Sequence, residues 1–333
     1  MLNLDRRGII AMGVAGLVSQ GLAGCTLGNR SMMAADTQPD GYPTVEALNF
    51  FAQELSKRTD GRLHVDIYPS GQLGDQNDAL ELAQFGGIDF IRVNIAPLNV
   101  LVPETVIPAL PFLFRSIPHM RMAMDGVPGR SILDSLSSHG LVGLAFYDSG
   151  ARSFYTTERE INEPSDLRGL KIRVQTSDLF VSMVEALGGN ATPMAYGEVY
   201  QGLVQGVIDG AENNFPSYES SRHFEVAKVY SLTRHVMAPE ILAISRYRWE
   251  KLTPSDRDHV RAAAQLSVPV MRRLWDDQVQ ASRRLLEESN VRIIEPSDHD
   301  AFIRKVEPVW DQYLISPALR RLAEDIFNTG DAW

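Results

Sequence analysis

Between Thr44 and Asn94 the hydrophobic period of the chain switches back and forth between that of a helix and that of a strand. From Thr44 to Arg58, Val45, Leu48, Phe51 and Leu55 recur at helical spacing, with Pro43 and Thr44 opening the pattern. Leu63, Val65 and Ile67 then alternate with Arg62, His64 and Asp66, which predicts a strand. Pro69-Ser70-Gly71 predicts a turn after it. Asp75 to Phe85 is helical again, Gly86-Gly87 closes it, and Ile88 to Asn94 is the next strand. Such alternation implies a mixed or parallel sheet covered by helices, an α/β protein.

The pattern continues. Leu141 to Tyr147 is a nearly unbroken apolar run, as in a buried central strand. Leu170, Ile172 and Val174 alternate with Lys171, Arg173 and Gln175. Asp178 to Leu187 reads as a helix closed by Gly188-Gly189, Glu198 to Val207 as another, and Ile208 to Asn213 as a short strand. The last part is mostly helical: Asp256 to Glu288, where Pro269 predicts a kink or break, a strand at Val291 to Ile294, and helical patterns from Asp298 to Phe327. At 333 residues, two lobes are expected rather than one oversized core.

The N-terminus reads as an export signal. Arg6 and Arg7 precede the apolar run Ile9 to Val18, which is short for a membrane span and right for a signal peptide. Leu22-Ala23-Gly24-Cys25 then matches a bacterial lipobox, in which the chain is cut before the cysteine and its thiol receives a diacylglycerol. On this reading residues 1–24 are a lipoprotein signal and 25–35 a tether. The alternatives are an ordinary signal cut nearer Ala35, and a twin-arginine address at Arg6-Arg7. Cys25 is the only cysteine, so its acylation leaves none for disulfides, thiol catalysis or metal.

Composition excludes several classes. With 44% apolar and 22% charged residues the chain is neither disordered, fibrous nor a polytopic membrane protein. A net charge of −10 argues against nucleic acid as a partner. The histidines (His64, His119, His139, His223, His235, His259 and His299) show no pair at ligand spacing, so no metal or other cofactor is expected. Ser70 lies in Pro-Ser-Gly, not in a nucleophile elbow.

A series of motifs carries a resemblance. They are Tyr68-Pro69-Ser70-Gly71-Gln72-Leu73-Gly74, Leu110-Pro111-Phe112-Leu113-Phe114, Asp166-Leu167-Arg168-Gly169-Leu170-Lys171-Ile172-Arg173-Val174, Thr192-Pro193-Met194, and Glu198-Val199-Tyr200 through Gly206-Val207-Ile208-Asp209-Gly210-Ala211-Glu212-Asn213. In this order they resemble the DctP-type substrate-binding proteins of tripartite ATP-independent periplasmic (TRAP) transporters, over roughly residues 36–300. The resemblance implies the two-lobed periplasmic binding protein fold, with lobe I at 36–149 and 239–278, lobe II at 150–238 and 279–333, and a long helical C-terminal part. It implies a receptor, not an enzyme, that binds a small organic acid between the lobes. Its partners would be the subunits of a sodium-driven membrane permease, and its membrane contact a lipid anchor only. The family default is a monomer; the 256–288 segment leaves a helix-mediated dimer open.

The site residues follow from the same comparison. By pattern alone Arg173 is a solvated arginine on a half-exposed strand; its guanidinium is also a rigid fork matched to a carboxylate. The resemblance makes it the carboxylate clamp. Arg152, just past the apolar strand, matches a second ligand-contacting arginine, and Asn213 the ligand asparagine; Asn214 beside it often gives way to proline. Arg92 and Asn94 share one face of a strand. Asn94 matches a pocket-lining position, whereas Arg92 pairs either with ligand or with a carboxylate of its own lobe. Tyr196, Gln76 and Gln38 match further lining positions, and Glu212 is either a ligand contact or a partner for an arginine.

Three segments resemble the hexuronate-binding subgroup: Gln38 to Thr44, Asp148 to Tyr155, and Glu212-Asn213-Asn214 with Ser217-Tyr218. One departure stands out, for Gln38-Pro39 replaces the subgroup's usual His-Pro. A C4-dicarboxylate or another hydroxy acid therefore stays open as ligand. So do two other classes: a uronate lyase or isomerase, for which no acid–base pair stands out, and a sensory solute-binding lipoprotein.

Overall fold

The computed structural model describes residues 31–330. The expected signal peptide and lipobox, with Cys25, lie outside the described residues. Among those described, no helix is long and apolar enough to cross a membrane.

Among the described residues eleven strands form two sheets. The first holds β1 (Met32–Ala35), β2 (Val65–Tyr68), β3 (Phe90–Asn94), β4 (Leu141–Tyr147) and β10 (Glu240–Ser245), in the order β2-β1-β3-β10-β4. The second holds β5 (Arg152–Thr156), β6 (Lys171–Val174), β7 (Asn190–Pro193), β8 (Gly210–Asn213), β9 (Val229–Val236) and β11 (Arg292–Ile294), in the order β11-β9-β5-β8-β6-β7. Both are mixed. In the first, β2, β1 and β3 run parallel and β10 runs against its two neighbours. In the second, β7, β6 and β8 run parallel and β5 runs against both β8 and β9. The α/β reading and the two-lobed architecture hold.

The chain passes between the sheets after β4, through 148–151, returns after β9, through 237–239, and crosses again between β10 and β11 by the helix Pro254–Glu288. Because β10 and β5 run against their neighbours, their first residues, Glu240 and Arg152, lie at the same edge as the carboxyl ends of β1, β3, β6 and β8. Ligand sites of open α/β sheets sit beyond that edge.

Several elements differ from expectation. The expected tether over 25–35 stops short, because Met32–Ala35 form a strand between β2 and β3, with Met32 and Ala34 buried. Its Met-Met-Ala-Ala sequence has no polar residue to alternate with the apolar ones, so no strand period shows. The long helix Pro254–Glu288 runs unbroken through Pro269. Its buried Val260, Ala263, Ala264, Met271 and Trp275 join the core formed with helix Pro43–Arg58 and β4, so tertiary packing outweighs the one lost backbone bond. The last helix, Pro317–Phe327, packs against Pro103–Ala109 and Val127–Ser135, which flank the first sheet, and Ile326 O lies 2.9 Å from His119 Nε2. The segment 279–333 thus divides between the two sheets rather than staying with the second.

Candidate functional site

A narrow polar cavity of about 20 Å³, room for about one water molecule, lies between the two sheets. The first sheet's side contributes Thr37 and Gln38 after β1, Gln76, Arg92 and Asn94 on β3, and Glu240 on β10. The second contributes Arg152 on β5, Arg173 and Gln175 from β6 onward, Tyr196, Asn213 and Ser217, with Ser149 from the connection. A wider cleft of about 330 Å³, at the lower end of the roughly 300–1,000 Å³ typical of small-molecule sites, adjoins it and shares Thr37, Gln76, Arg173, Gln175 and Tyr196.

Arg173 is 2% exposed. Its Nε and Nη2 both donate to Met194 O, at 2.9 and 2.8 Å, and among the described residues it makes no ion pair. One edge of the guanidinium is thereby spent. The other, Nη1 with the second Nη2 proton, is left for an acceptor in the cavity. Burial lowers its pKa from the ordinary arginine value, yet a guanidinium stays charged in a protein.

Arg152 is committed differently. Its Nε and Nη2 clamp the Glu212 carboxylate at 2.6 and 2.7 Å, Nη2 also reaches Glu212 O, and Nη1 donates to Asn213 Oδ1 at 2.9 Å. Asn213 Oδ1 also accepts from the Asn214 amide N–H, so the Asn213 NH₂ group is fixed in direction. Glu212 is wholly buried and lies 3.5 Å from His235 Nε2. Burial raises the Glu212 pKa, but Arg152 and His235 outweigh it and hold it below the ordinary value. Burial holds His235 below its ordinary value too.

Arg92 sits between two carboxylates. It is bidentate to Asp36 and donates from Nη1 to Glu240 Oε2 at 2.7 Å. Asp36 is saturated further by Thr44 Oγ1 and by the Gln38 N–H. Asn94 caps the helix Ile95–Leu98, donates to Glu240 Oε1 at 3.0 Å and accepts from Gln175 Nε2 at 3.1 Å. Gln76 Oε1 accepts from the Asn94 N–H, and Tyr196 donates to Ser217 O. Two of these bonds join the sheets' sides directly, Gln175 to Asn94 and Tyr42 to Ser217 (2.8 Å).

Arg173, Arg152, Asn213, Arg92, Asn94, Tyr196, Gln38 and Gln76 therefore come together in one cavity. Two candidates do not line it. Glu212 lies behind Arg152 as its counter-charge. Asn214 caps the helix Phe215–Ser220 through Ser217 N and donates to Ser149 O. Arg92 lines the cavity but is taken up by carboxylates of its own side. Sequence reasoning missed Glu240, Gln175, Ser149 and Ser217. Gln175 was findable, two residues beyond Arg173 and so on the same strand face; Glu240 heads the apolar run Ile241 to Ile244, which is a buried-strand signal. Among the described residues no cluster of His, Cys, Asp or Glu could hold a metal ion.

Two α/β lobes facing each other across an arginine-lined cavity are the architecture of a bilobal solute-binding protein. The chain belongs to the DctP family, the bacterial extracellular solute-binding proteins of family 7, whose family model matches residues 34–316. A solute-binding protein of Chromohalobacter salexigens is 45% identical over 289 residues, 86% of each chain. The crystal structure of a TRAP periplasmic solute-binding protein from Bradyrhizobium sp. BTAi1, in complex with α/β-D-galacturonate, is 47% identical and superposes with a TM-score of 0.89 over 90% of this chain and 100% of that one. A TRAP solute-binding protein of Chromohalobacter salexigens with bound D-glucuronate is 44% identical, with a TM-score of 0.88 over the same shares.

Proposed function

We propose that this chain is the extracytoplasmic receptor of a TRAP transporter, that it binds a hexuronate of the glucuronate or galacturonate type between its lobes, and that it delivers it to a sodium-coupled permease. The observation that carries this reading is Arg173, a buried cation with no carboxylate partner among the described residues and a free donor edge at the cavity. A ligand carboxylate supplies the missing counter-charge in two parallel charge-assisted bonds. Asn213, Gln175, Gln38 and Ser149 offer the mixed donors and acceptors that ring hydroxyls need. The bound hexuronates of the similar structures agree with this.

The lobes turn about 148–151 and 237–239. Closing over the site withdraws Arg173 from water, which is costly for a lone charge, so an anion that pairs with it favours the closed state over the open one. No step of bond making is assigned to the chain. We further propose export to the periplasm with a diacylglycerol on Cys25; radiolabelled palmitate should enter the wild type and not Cys25→Ser, and equal labelling would refute the anchor.

Isothermal titration of the exported protein tests the central reading. Galacturonate or glucuronate should bind, and at 100 times its dissociation constant should stabilise the fold by about 2.7 kcal/mol in a thermal-shift assay. Shifts with C4-dicarboxylates alone would overturn the hexuronate assignment.

A further inference from the structure

The charges lining the cavity are not evenly spread. On the second sheet's side, Arg152 is neutralised by Glu212, and Arg173 is left with an unpaired positive charge. On the first sheet's side, one guanidinium, Arg92, serves two carboxylates, Asp36 and Glu240, so that end is net negative. Glu240 itself lines the cavity, with one oxygen on Arg92 and the other on Asn94. A carboxylate has about four lone-pair sites, so it can still accept from a hydroxyl. On the same wall, Gln38 Oε1 is a buried acceptor with no hydrogen-bond partner among the described residues, and Gln38 is only 8% exposed. A buried acceptor left without a donor is costly.

We infer that Glu240 and Gln38 determine specificity, by demanding hydroxyl donors at the end of the ligand away from Arg173 and by repelling a second carboxylate there. The inference rests on the receptor reading above and deepens it. The preferred ligand is a polyhydroxylated acid with one carboxylate, and a dicarboxylate of the same carbon skeleton is rejected. Acceptors at that end reward a donor, whereas an anion there meets like charge among buried side chains, where repulsion is strong. The Gln38 amide deepens the effect, because its carbonyl oxygen needs a donor that a carboxylate does not have.

The test compares D-galacturonate with galactarate, which carries a carboxylate at both ends, by titration calorimetry on the exported protein. The wild type should bind galacturonate at least about 100-fold more tightly, the size expected for one buried like-charge clash. Glu240→Gln keeps the shape and leaves Arg92 paired with Asp36, and it should shrink that ratio by about tenfold or more. Gln38→Glu, also of equal size, should widen it, and it keeps the question open to experiment should the first variant not fold. Equal binding of the two acids by the wild type, or ratios unchanged in both variants, would overturn the inference while leaving the receptor intact. Failure of the wild type to bind any hexuronate would instead overturn the hexuronate assignment, and this inference with it.

Discussion

Arg173→Ala should lower hexuronate affinity by about 10²- to 10³-fold and leave the unliganded protein no less stable. Truncating one partner of a fully desolvated charge pair costs about 2–5 kcal/mol, and each 1.4 kcal/mol is tenfold in affinity. The stability half of the expectation comes from what Arg173 touches. Its protein partner is one carbonyl, Met194 O, and burial already works against its charge. Deleting it exposes that carbonyl to the cavity and removes a desolvated cation, so the two effects offset. Arg173→Lys should recover only part of the affinity, since an ammonium keeps the charge and loses the fork. Affinity should also be flat between pH 5 and 8. The nearest histidine behind the site, His223, is bonded to Tyr155 Oη and pushed down to about 3, first by burial and then by Arg173. His235 is likewise held low by burial, and a guanidinium does not titrate in that range. Titrations at three pH values check both claims. An affinity loss under tenfold would place the carboxylate elsewhere.

Much of the fold was legible because period carries it. The helix at Pro43–Arg58, the strand at Leu141–Tyr147 and the strand with Arg173 emerge at nearly their observed bounds. The strands that escaped have a common cause. Met32–Ala35 is apolar throughout and Asn190–Pro193 holds no alternating apolar pair, so neither shows a period of two. Arg152–Thr156 and Val229–Val236 are buried almost throughout, polar residues included, so no polar face marks them. The site was legible in a different sense. Sequence put Arg173, Arg92 and Asn94 on the right elements and left Arg152 just past the apolar strand, where it in fact opens β5, but it gives each arginine the same charge and the same fork. Their different roles come from which carboxylate lies opposite, and those partners are distant in the chain: Arg92 pairs with residues 56 and 148 positions away, and Arg152 with one 60 away. Glu240 escaped for that reason, since its function exists only once β10 lies between β3 and β4.

Arg152 should behave as the opposite of Arg173, which makes the pair a test of how the site is built. Arg152→Met leaves Glu212 buried at 0% exposure, with only a histidine held neutral by burial nearby. Orphaning a buried carboxylate costs about 3–5 kcal/mol, equivalent to a fall in melting temperature on the order of 10 °C for a chain of this size. The double variant Arg152→Met with Glu212→Leu replaces the pair by apolar groups of similar volume, and stability should return to near the wild-type value, because such replacements are often neutral or favourable. Binding should not return with it. Arg152 Nη1 holds Asn213 Oδ1, and so sets which way the Asn213 NH₂ faces the cavity; without it, hexuronate affinity should stay at least about tenfold down, roughly one charge-assisted hydrogen bond. Denaturant midpoints and calorimetry on the two singles and the double give the coupling energy directly. If Arg152→Met instead melts like the wild type and only binding suffers, Arg152 acts chiefly on the ligand and Glu212 is satisfied without it. If all three variants lose stability together, the arginine is packing the cavity wall through its stem and its stacking on Phe180. Only recovered stability with lost affinity fits a guanidinium whose charge is used by the protein and whose geometry is used by the ligand.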